Sequence, residues 1–525
     1  MRAAAAGAAL ALVGAVAMSA ARAQQVQPVQ PVQPADTGVA RAPQAATQAE
    51  ALHVLDRLGY GPTPGEVARV MQIGVERYID EQLHPERIAL PPSLEQQLAA
   101  LDTTQLSQRQ LIVGLREAQR AAKTEGESGQ TERREWLRRV GEEAAQARLA
   151  RAVHSPRQLQ EVMVDFWFNH FNVFIGKGVD RVLVADYERE AIRPYALGRF
   201  RDLLGATARH PAMLFYLDNW LSVAPGYRPP RALAGTPSGL NENYARELME
   251  LHTLGVDGGY TQHDVTELAR MLTGWTFEPR RTSGASTFRF DAARHDDGDK
   301  VWRGRRVAAG GQSEGEWALD VLAADPATAR HISFELAQYF VADQPSAALV
   351  ERLTRRYLAS GGDIRAVLAT LFASAEFRDP AARGVKFKTP YQYVVSALRA
   401  AELPTGNVRP LLGALNQLGM PLFGCQTPDG YKNTEQAWLN PDAVTRRVAF
   451  ATALAAGRLP LVRAPAAARG GSADEIDAFT APLSADALLD TLGGGISAAT
   501  RATIARAPQG LQAAMVLGSP DFMRR

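Results

Sequence analysis

Residues 241 to 275 read NENYARELMELHTLGVDGGYTQHDVTELARMLTGW, two short helical patterns crowded with carboxylates, amides and histidines. In the first, Tyr244, Leu248 and Leu251 share one stripe and Asn243, Glu247 and Glu250 another, while Glu242, Arg246 and Glu250 recur every fourth residue. Like charges one turn apart destabilise a helix unless something neutralises them; Arg246, a metal ion or a shared proton would each serve. The second pattern opens with Thr261 as N-cap and Asp264 three positions on, the spacing of a capping box. His263 and Glu267 then stand four apart and can converge on one ion. A Glu-x-x-Glu helix beside a His-x-x-x-Glu helix is similar to, without reproducing, the carboxylate-rich metal sites of helical bundles.

Three chemistries fit these spacings. Two of Glu242, Glu247 and Glu250 can act as acid and base in cleaving a glycosidic or similar bond, which needs carboxyl groups roughly 5 to 9.5 Å apart. Tyr260 and Trp275 would then offer stacking faces to a sugar, although packing is the commoner use of both. A divalent metal held by Glu247, Glu250, His263 and Glu267 is the second. The third makes the same residues salt-bridged, solvated helix faces.

A further constellation lies in SPRQLQEVMVDFWFNHFNVF, residues 155 to 174. On a helix begun at Ser155, the residues Leu159, Val162, Met163, Phe166 and His170 fall on one buried stripe, so His170 points inward. It is either a core histidine satisfied by one hydrogen bond or a ligand or general acid/base. Asp165 and Asn169 are four apart on another face. The catalytic candidates are thus Glu242, Glu247, Glu250 and His170, with Asn169, Asn243, Arg246, His252, Tyr260 and Trp275 as substrate-binding candidates. RHDDGDK, residues 294 to 300, is only part of a calcium loop and reads better as a turn at a hairpin tip. With no phosphate-cradling glycine loop, nucleophile elbow or HExxH, common nucleotide-dependent, serine-hydrolase and zincin mechanisms lose their footing.

The elements that must position these groups are mainly helical. The chain has 525 residues, 46% of them hydrophobic, enough for a large core. Its 58 basic and 56 acidic side chains leave no electrostatic footprint for nucleic acid. Arg2, an apolar run from Ala3 to about Ala20 and Ala21-Arg22-Ala23 read as a signal peptide over 1–23. Export to the periplasm or the medium, with no stable membrane anchor, is the expectation. A Pro/Gln-rich linker follows over 24–48. Cys425 is the only cysteine, so no internal disulfide can form, and it reads as a buried structural thiol.

Thr63-Pro64, Ser155-Pro156 and Asn440-Pro441 mark helix starts, and Gly59, Gly74 and Gly457 mark stops. Residues 105 to 150 form a helical hairpin with a Gly/Ser break at 126 to 129. TFRFD and KVWRG read as the two arms of one β-hairpin at 287–304. The expected fold is all-α with that small inserted hairpin: a large helical domain over 49–460, then a loop and C-terminal helical segment over 461–525. The stretch 459 to 475 is the internal loop.

HVLDRLGYGPTPGEV, DFWFNHF, RDLLGATARHPAMLFYLDN, the NENYARE stretch, RHDDGDK, ARHISFELAQYFV, FKTPYQYVVSALRA and PLFGCQTPDGYKNTEQAWLNP together resemble, in order, the bacterial family catalogued as domain of unknown function 1800. The resemblance covers roughly residues 50 to 525. It implies an exported, mainly helical protein, often accompanied by a secreted partner from a sulfatase-like family. One departure stands out: the family commonly has Trp-His-Asn-His where this chain has Trp167-Phe168-Asn169-His170. A mechanism built on both histidines is therefore in doubt, whereas one using Asn169, His170 and the Glu242 to Glu250 helix survives.

Three functions follow as expectations. The first is a hydrolase acting on a glycan or other extracellular polymer, and the second a metal-dependent enzyme using the Glu/His cluster. The third is a non-enzymatic scaffold or partner subunit, which predicts no deep pocket at the NENYARE helix.

Overall fold

The computed structural model describes residues 46–228, 239–278, 287–464 and 476–525. The signal peptide, nearly all of the linker and most of the 459–475 loop lie outside the described residues. Among those described, twenty-four α-helices carry the fold and the strands form only three two-stranded antiparallel pairs, so the fold is all-α with small β-hairpins.

Helix Gln158–His170 runs through the core. Leu159, Val162, Met163 and Phe166 are buried, as the stripe requires, and so are Val164, Trp167 and Phe168 on its other faces. The Trp167 indole donates to the Ala196 carbonyl at 3.0 Å, which satisfies the polar end of a fully buried ring. Helix Pro326–Phe340 packs nearby through Tyr339, whose ring meets that of Phe166 edge-on at 5.3 Å. Helices Asn243–Glu250 and Gln262–Met271 pack on one another with Tyr244, Leu248, Val265 and Leu268 inward. The C-terminal helix Gln509–Leu517 lies on Pro441–Ala455, and the Tyr393 hydroxyl reaches carbonyls of both segments, Arg447 at 3.1 Å and Leu517 at 3.0 Å. No helix among the described residues is long and apolar enough to cross a membrane.

Local chemistry sets most of the boundaries. Thr261 and Asp264 make the reciprocal capping box expected of them, and the Asn440 side chain caps Pro441–Ala455. At Thr63 the helix starts later than expected, at Glu66, because Gly65 sits in the left-handed region at φ +80. The Glu66 carboxylate still accepts from the Thr63 amide and hydroxyl. The Ser155 helix likewise starts at Gln158. Helices Gln108–Thr124 and Gly126–His154 are joined through Glu125 alone, so Ser128 and Gly129 lie inside a helix. A Cβ on Gly129 would come within 2.3 Å of the Ala121 carbonyl oxygen, so glycine there serves close helix contact.

The expected hairpin is corrected. TFRFD and KVWRG do not pair with each other. Strand β2 (Phe288–Phe290) pairs back with β1 (Trp275–Phe277), and β3 (Lys300–Trp302) pairs forward with β4 (Arg305–Val307). Arg303 and Gly304 both have positive φ, +50 and +72, as a tight two-residue hairpin turn demands. RHDDGDK is consequently no hairpin tip but a connector between the two pairs. It buries His295 and Lys300 on Glu314, at 3.2 and 2.6 Å, and Asp296 on Arg270 at 2.8 Å. A third pair, β5 (Val462–Ala464) with β6 (Ile476–Ala478), brackets the loop read at 459 to 475.

Candidate functional site

Helix Asn243–Glu250 ends in the turn Leu251 to Thr253, which leaves carbonyls without helical partners. Two histidines from other helices meet them. The His170 Nε2 lies 3.2 Å from the His252 carbonyl oxygen, and the His331 Nε2 lies 3.3 Å from that of Leu251. Between the two rings stands Glu335, one turn beyond His331 on Pro326–Phe340. Its Oε2 is 2.7 Å from His170 Nδ1, and its Oε1 is 3.6 Å from His331 Nε2. Both ring nitrogens of His170 therefore face oxygen atoms, the Glu335 carboxylate on one side and the His252 carbonyl on the other.

Burial pushes the Glu335 carboxyl up, but the charges of His170 and His331 outweigh it and hold the group below its ordinary value. Glu335 is thus an ionised carboxylate, 29% exposed, between two imidazoles. It opens onto a cavity of about 270 Å³ whose walls include Asn169, His170, Glu250, His331, Asp429 and Lys432.

One wall is the segment from Met420 to Asn433, and the asparagines of the central helix and its end fix it. Asn169 donates to the Tyr431 carbonyl at 2.8 Å and accepts from the Tyr431 amide at 2.7 Å. Asn172 donates to the carbonyls of Cys425 and Thr427 at 3.0 and 2.9 Å. Gly430, at φ +64, passes so close that a Cβ would lie 2.3 Å from the Asn169 carbonyl oxygen. Behind this wall the buried Arg148 pairs with Asp165 and Glu188 and lies over the rings of Phe168, Tyr391 and Phe423. Phe168, the residue that departs from the family pattern, faces this cage. Cys425 is buried, with its sulfur 3.7 Å from the Thr427 carbonyl oxygen.

The expected site residues separate. Glu250, His170 and Asn169 reach the cavity. Glu250 accepts from the Tyr260 hydroxyl at 2.9 Å. Glu247, half-buried one turn earlier, is raised by burial and then by the Glu250 charge. Glu242 instead stitches two helices, accepting from Gln262 and Thr266 at 2.7 Å each. Arg246 turns to Gln262 at 2.9 Å and Glu242 at 3.4 Å, so it forms no ion pair with Glu247 or Glu250. The Asn243 amide donates to the Leu217 carbonyl, away from the cavity.

His252 contributes its backbone carbonyl rather than its ring. The ring is buried, and burial together with the His170 charge lowers its pKa to about 3. Trp275 is corrected outright: it is fully buried in β1 against Phe288 and offers no face to a sugar. The four candidate metal ligands do not converge. His263 is exposed, while Glu267 is buried on Arg270 at 2.8 Å and accepts the Val301 amide at 2.7 Å. Among the described residues no group of three or more His, Cys, Asp or Glu is placed to hold a metal ion.

The residues missed were His331, Glu335, Asp429 and Lys432. The first two carry the same His-x-x-x-Glu spacing that singled out His263 and Glu267, so their signal was present in ARHISFELAQYFV. A family model described as protein of unknown function, DUF1800, matches residues 53–524. No curated protein and no solved structure matches the chain.

Proposed function

For a chain that belongs to the DUF1800 family, we propose an exported hydrolase that cleaves a glycan or similar polymer in the cavity around Glu335. The observation that carries the reading is an ionised carboxylate held between two imidazoles at the wall of a cavity of about 270 Å³. In this reading Glu335 takes a proton from a water molecule whose oxygen attacks the acetal carbon. His331, 3.6 Å from Glu335, helps His170 hold that carboxylate charged, and the departing oxygen takes its proton from solvent. His170, whose ring nitrogens face Glu335 and the His252 carbonyl, positions Glu335 and helps hold it charged. The N-terminal Arg2, the apolar run and Ala21-Arg22-Ala23 support export.

This scheme moves the chemistry from the NENYARE helix to its neighbour. Glu250, which also lines the cavity, remains a binding group, and Glu242 becomes structural. The test is release of reducing ends from a panel of polysaccharides by the purified protein and by Glu335→Gln. The wild type should release them and the variant should lose at least about a hundred-fold, as expected for a general base. Equal activity in the two proteins would overturn the assignment.

A further inference from the structure

One face of helix Gly126–His154 borders a groove of about 2000 Å³ that the hydrolase scheme leaves unused. Glu132, Trp136, Glu143, Gln146 and His154 all line it, a run of about 33 Å at the rise of a helix. Helix Pro92–Ala99 and the connection from Glu402 to Gly406 contribute the other walls. The groove shares no lining residue with the Glu335 cavity and is several times larger. Its walls are tied together: Gln146 donates to the Gly406 carbonyl at 3.3 Å, Gln97 to the Thr405 hydroxyl at 3.1 Å, and His154 Nε2 lies 3.2 Å from that same hydroxyl. A preformed space of this size exceeds the roughly 300 to 1,000 Å³ of a compact ligand, so an elongated one fits it better.

The wall chemistry narrows the occupant. Glu142 pairs with Arg138 at 3.1 Å and with Arg409 at 2.8 Å, Glu143 with Arg139 at 2.7 Å, and Glu66 with Arg399 at 2.9 Å. A polyanion therefore meets arginines already paired, and the exposed acids Glu132, Glu135 and Glu402 repel it. Paired guanidinium and carboxylate groups keep spare N–H donors and oxygen lone pairs, which a neutral hydroxyl, donor and acceptor at once, can use. Trp136, partly buried beside Gly114, where a Cβ would come within 3.0 Å of its ring, adds an aromatic surface to the polar wall. A peptide is poorly served. An added strand needs free backbone groups, whereas the Gly406 carbonyl is taken by Gln146 and the Asn407 amide by the Leu461 carbonyl at 2.8 Å. An amphipathic helix needs an apolar groove, and charged side chains line this one.

Resting on the hydrolase reading, we infer that this groove holds a neutral, hydroxyl-rich polysaccharide chain outside the cavity where it is cut, with Trp136 against a sugar face and Arg409, Arg138 and Glu142 bonded to its hydroxyls. About 270 Å³ at Glu335 admits only a short stretch of chain, and the groove retains the rest.

Calorimetric titration with cellohexaose, xylohexaose and hexa-N-acetylglucosamine, and with hexagalacturonate and hexalysine as charged controls, tests this in the wild type, Trp136→Ala, Arg409→Ala and Glu335→Gln. At least one neutral hexamer should bind the wild type and Glu335→Gln alike and slow amide exchange across residues 402 to 409 rather than 420 to 433. Its affinity should fall by about ten-fold or more in Trp136→Ala and in Arg409→Ala, the scale of one lost charge-assisted hydrogen bond. Arg409→Ala leaves Glu142 paired with Arg138, so it decides the matter even where Trp136→Ala fails to fold. No binding of any neutral hexamer, binding that ignores Arg409 or is lost in Glu335→Gln, protection of 420 to 433 instead, or tighter binding of a charged control with the same dependence on Arg409 would each overturn the inference. The hydrolase reading fails separately, through a hexamer that binds as described to a protein that cleaves no polysaccharide.

Discussion

Replacing His252 by phenylalanine should make the protein less sensitive to acid. The ring is 1% exposed. Burial and the His170 charge, with a smaller push from His331, lower its pKa from 6.5 to about 3, against the opposing pull of Glu335. In the unfolded chain the same ring takes up its proton near the ordinary value. Between those values the unfolded state binds one more proton than the folded state, so stability rises with pH and is lost as pH falls. The slope is about 1.4 kcal/mol per pH unit for one proton, so about 3 kcal/mol goes between pH 6.5 and pH 4. Nε2 of His252 has no hydrogen-bond partner to lose, and the Phe171 and Tyr244 rings, 5.1 and 6.4 Å away, are apolar company for a phenyl ring. His53, buried on the Phe377 carbonyl and also lowered to about 3, behaves the same way in both proteins and cancels in the comparison. Urea unfolding of wild type and His252→Phe at pH 6.5, 5 and 4 gives the difference directly. It should shift by about 3 kcal/mol in the variant's favour across that range. Parallel pH dependences would refute the reasoning, because they would mean the ring is protonated equally in both states.

Asn169→Ala removes both hydrogen bonds to the Tyr431 backbone and should cost about 1 to 3 kcal/mol, read by urea unfolding. Gly430→Ala forces a Cβ against the Asn169 carbonyl at a positive φ; it should lower Tm and loosen the same wall, visible as faster amide exchange across residues 420 to 433. Arg148→Met strips the cation from the buried Asp165 and Glu188 and should destabilise by about 3 to 5 kcal/mol, part of which an added Asp165→Asn returns.

Much of this architecture was legible because it depends on local patterns. The stripe from Leu159 to His170 and the Thr261 and Asn440 caps follow from helix periodicity and hydroxyl or amide chemistry within a few residues. The hairpin was misread because FRF and KVW both look like strands, while their partners were decided by the Arg303-Gly304 turn and by Trp275–Phe277, three strand-favouring residues too few to stand out just beyond a helix. The site was half legible for a related reason. Helical spacing says which side chains share a face, but not which face opens on a cavity. His263 with Glu267 and His331 with Glu335 are equivalent by spacing, and only packing sends the first pair to the surface and to Arg270 and the second to His170. Trp275 illustrates the same limit, since a buried aromatic and a sugar platform are identical in sequence.

The central claim is that Glu335 is the reacting base, and the most direct measurement compares the reducing ends released from a panel of polysaccharides by wild type and by Glu335→Gln. The account predicts steady release from at least one of them by the wild type and at least about a hundred-fold loss in a variant that remains folded. Undiminished release by Glu335→Gln, or none by the wild type from any polysaccharide in the panel, would contradict it.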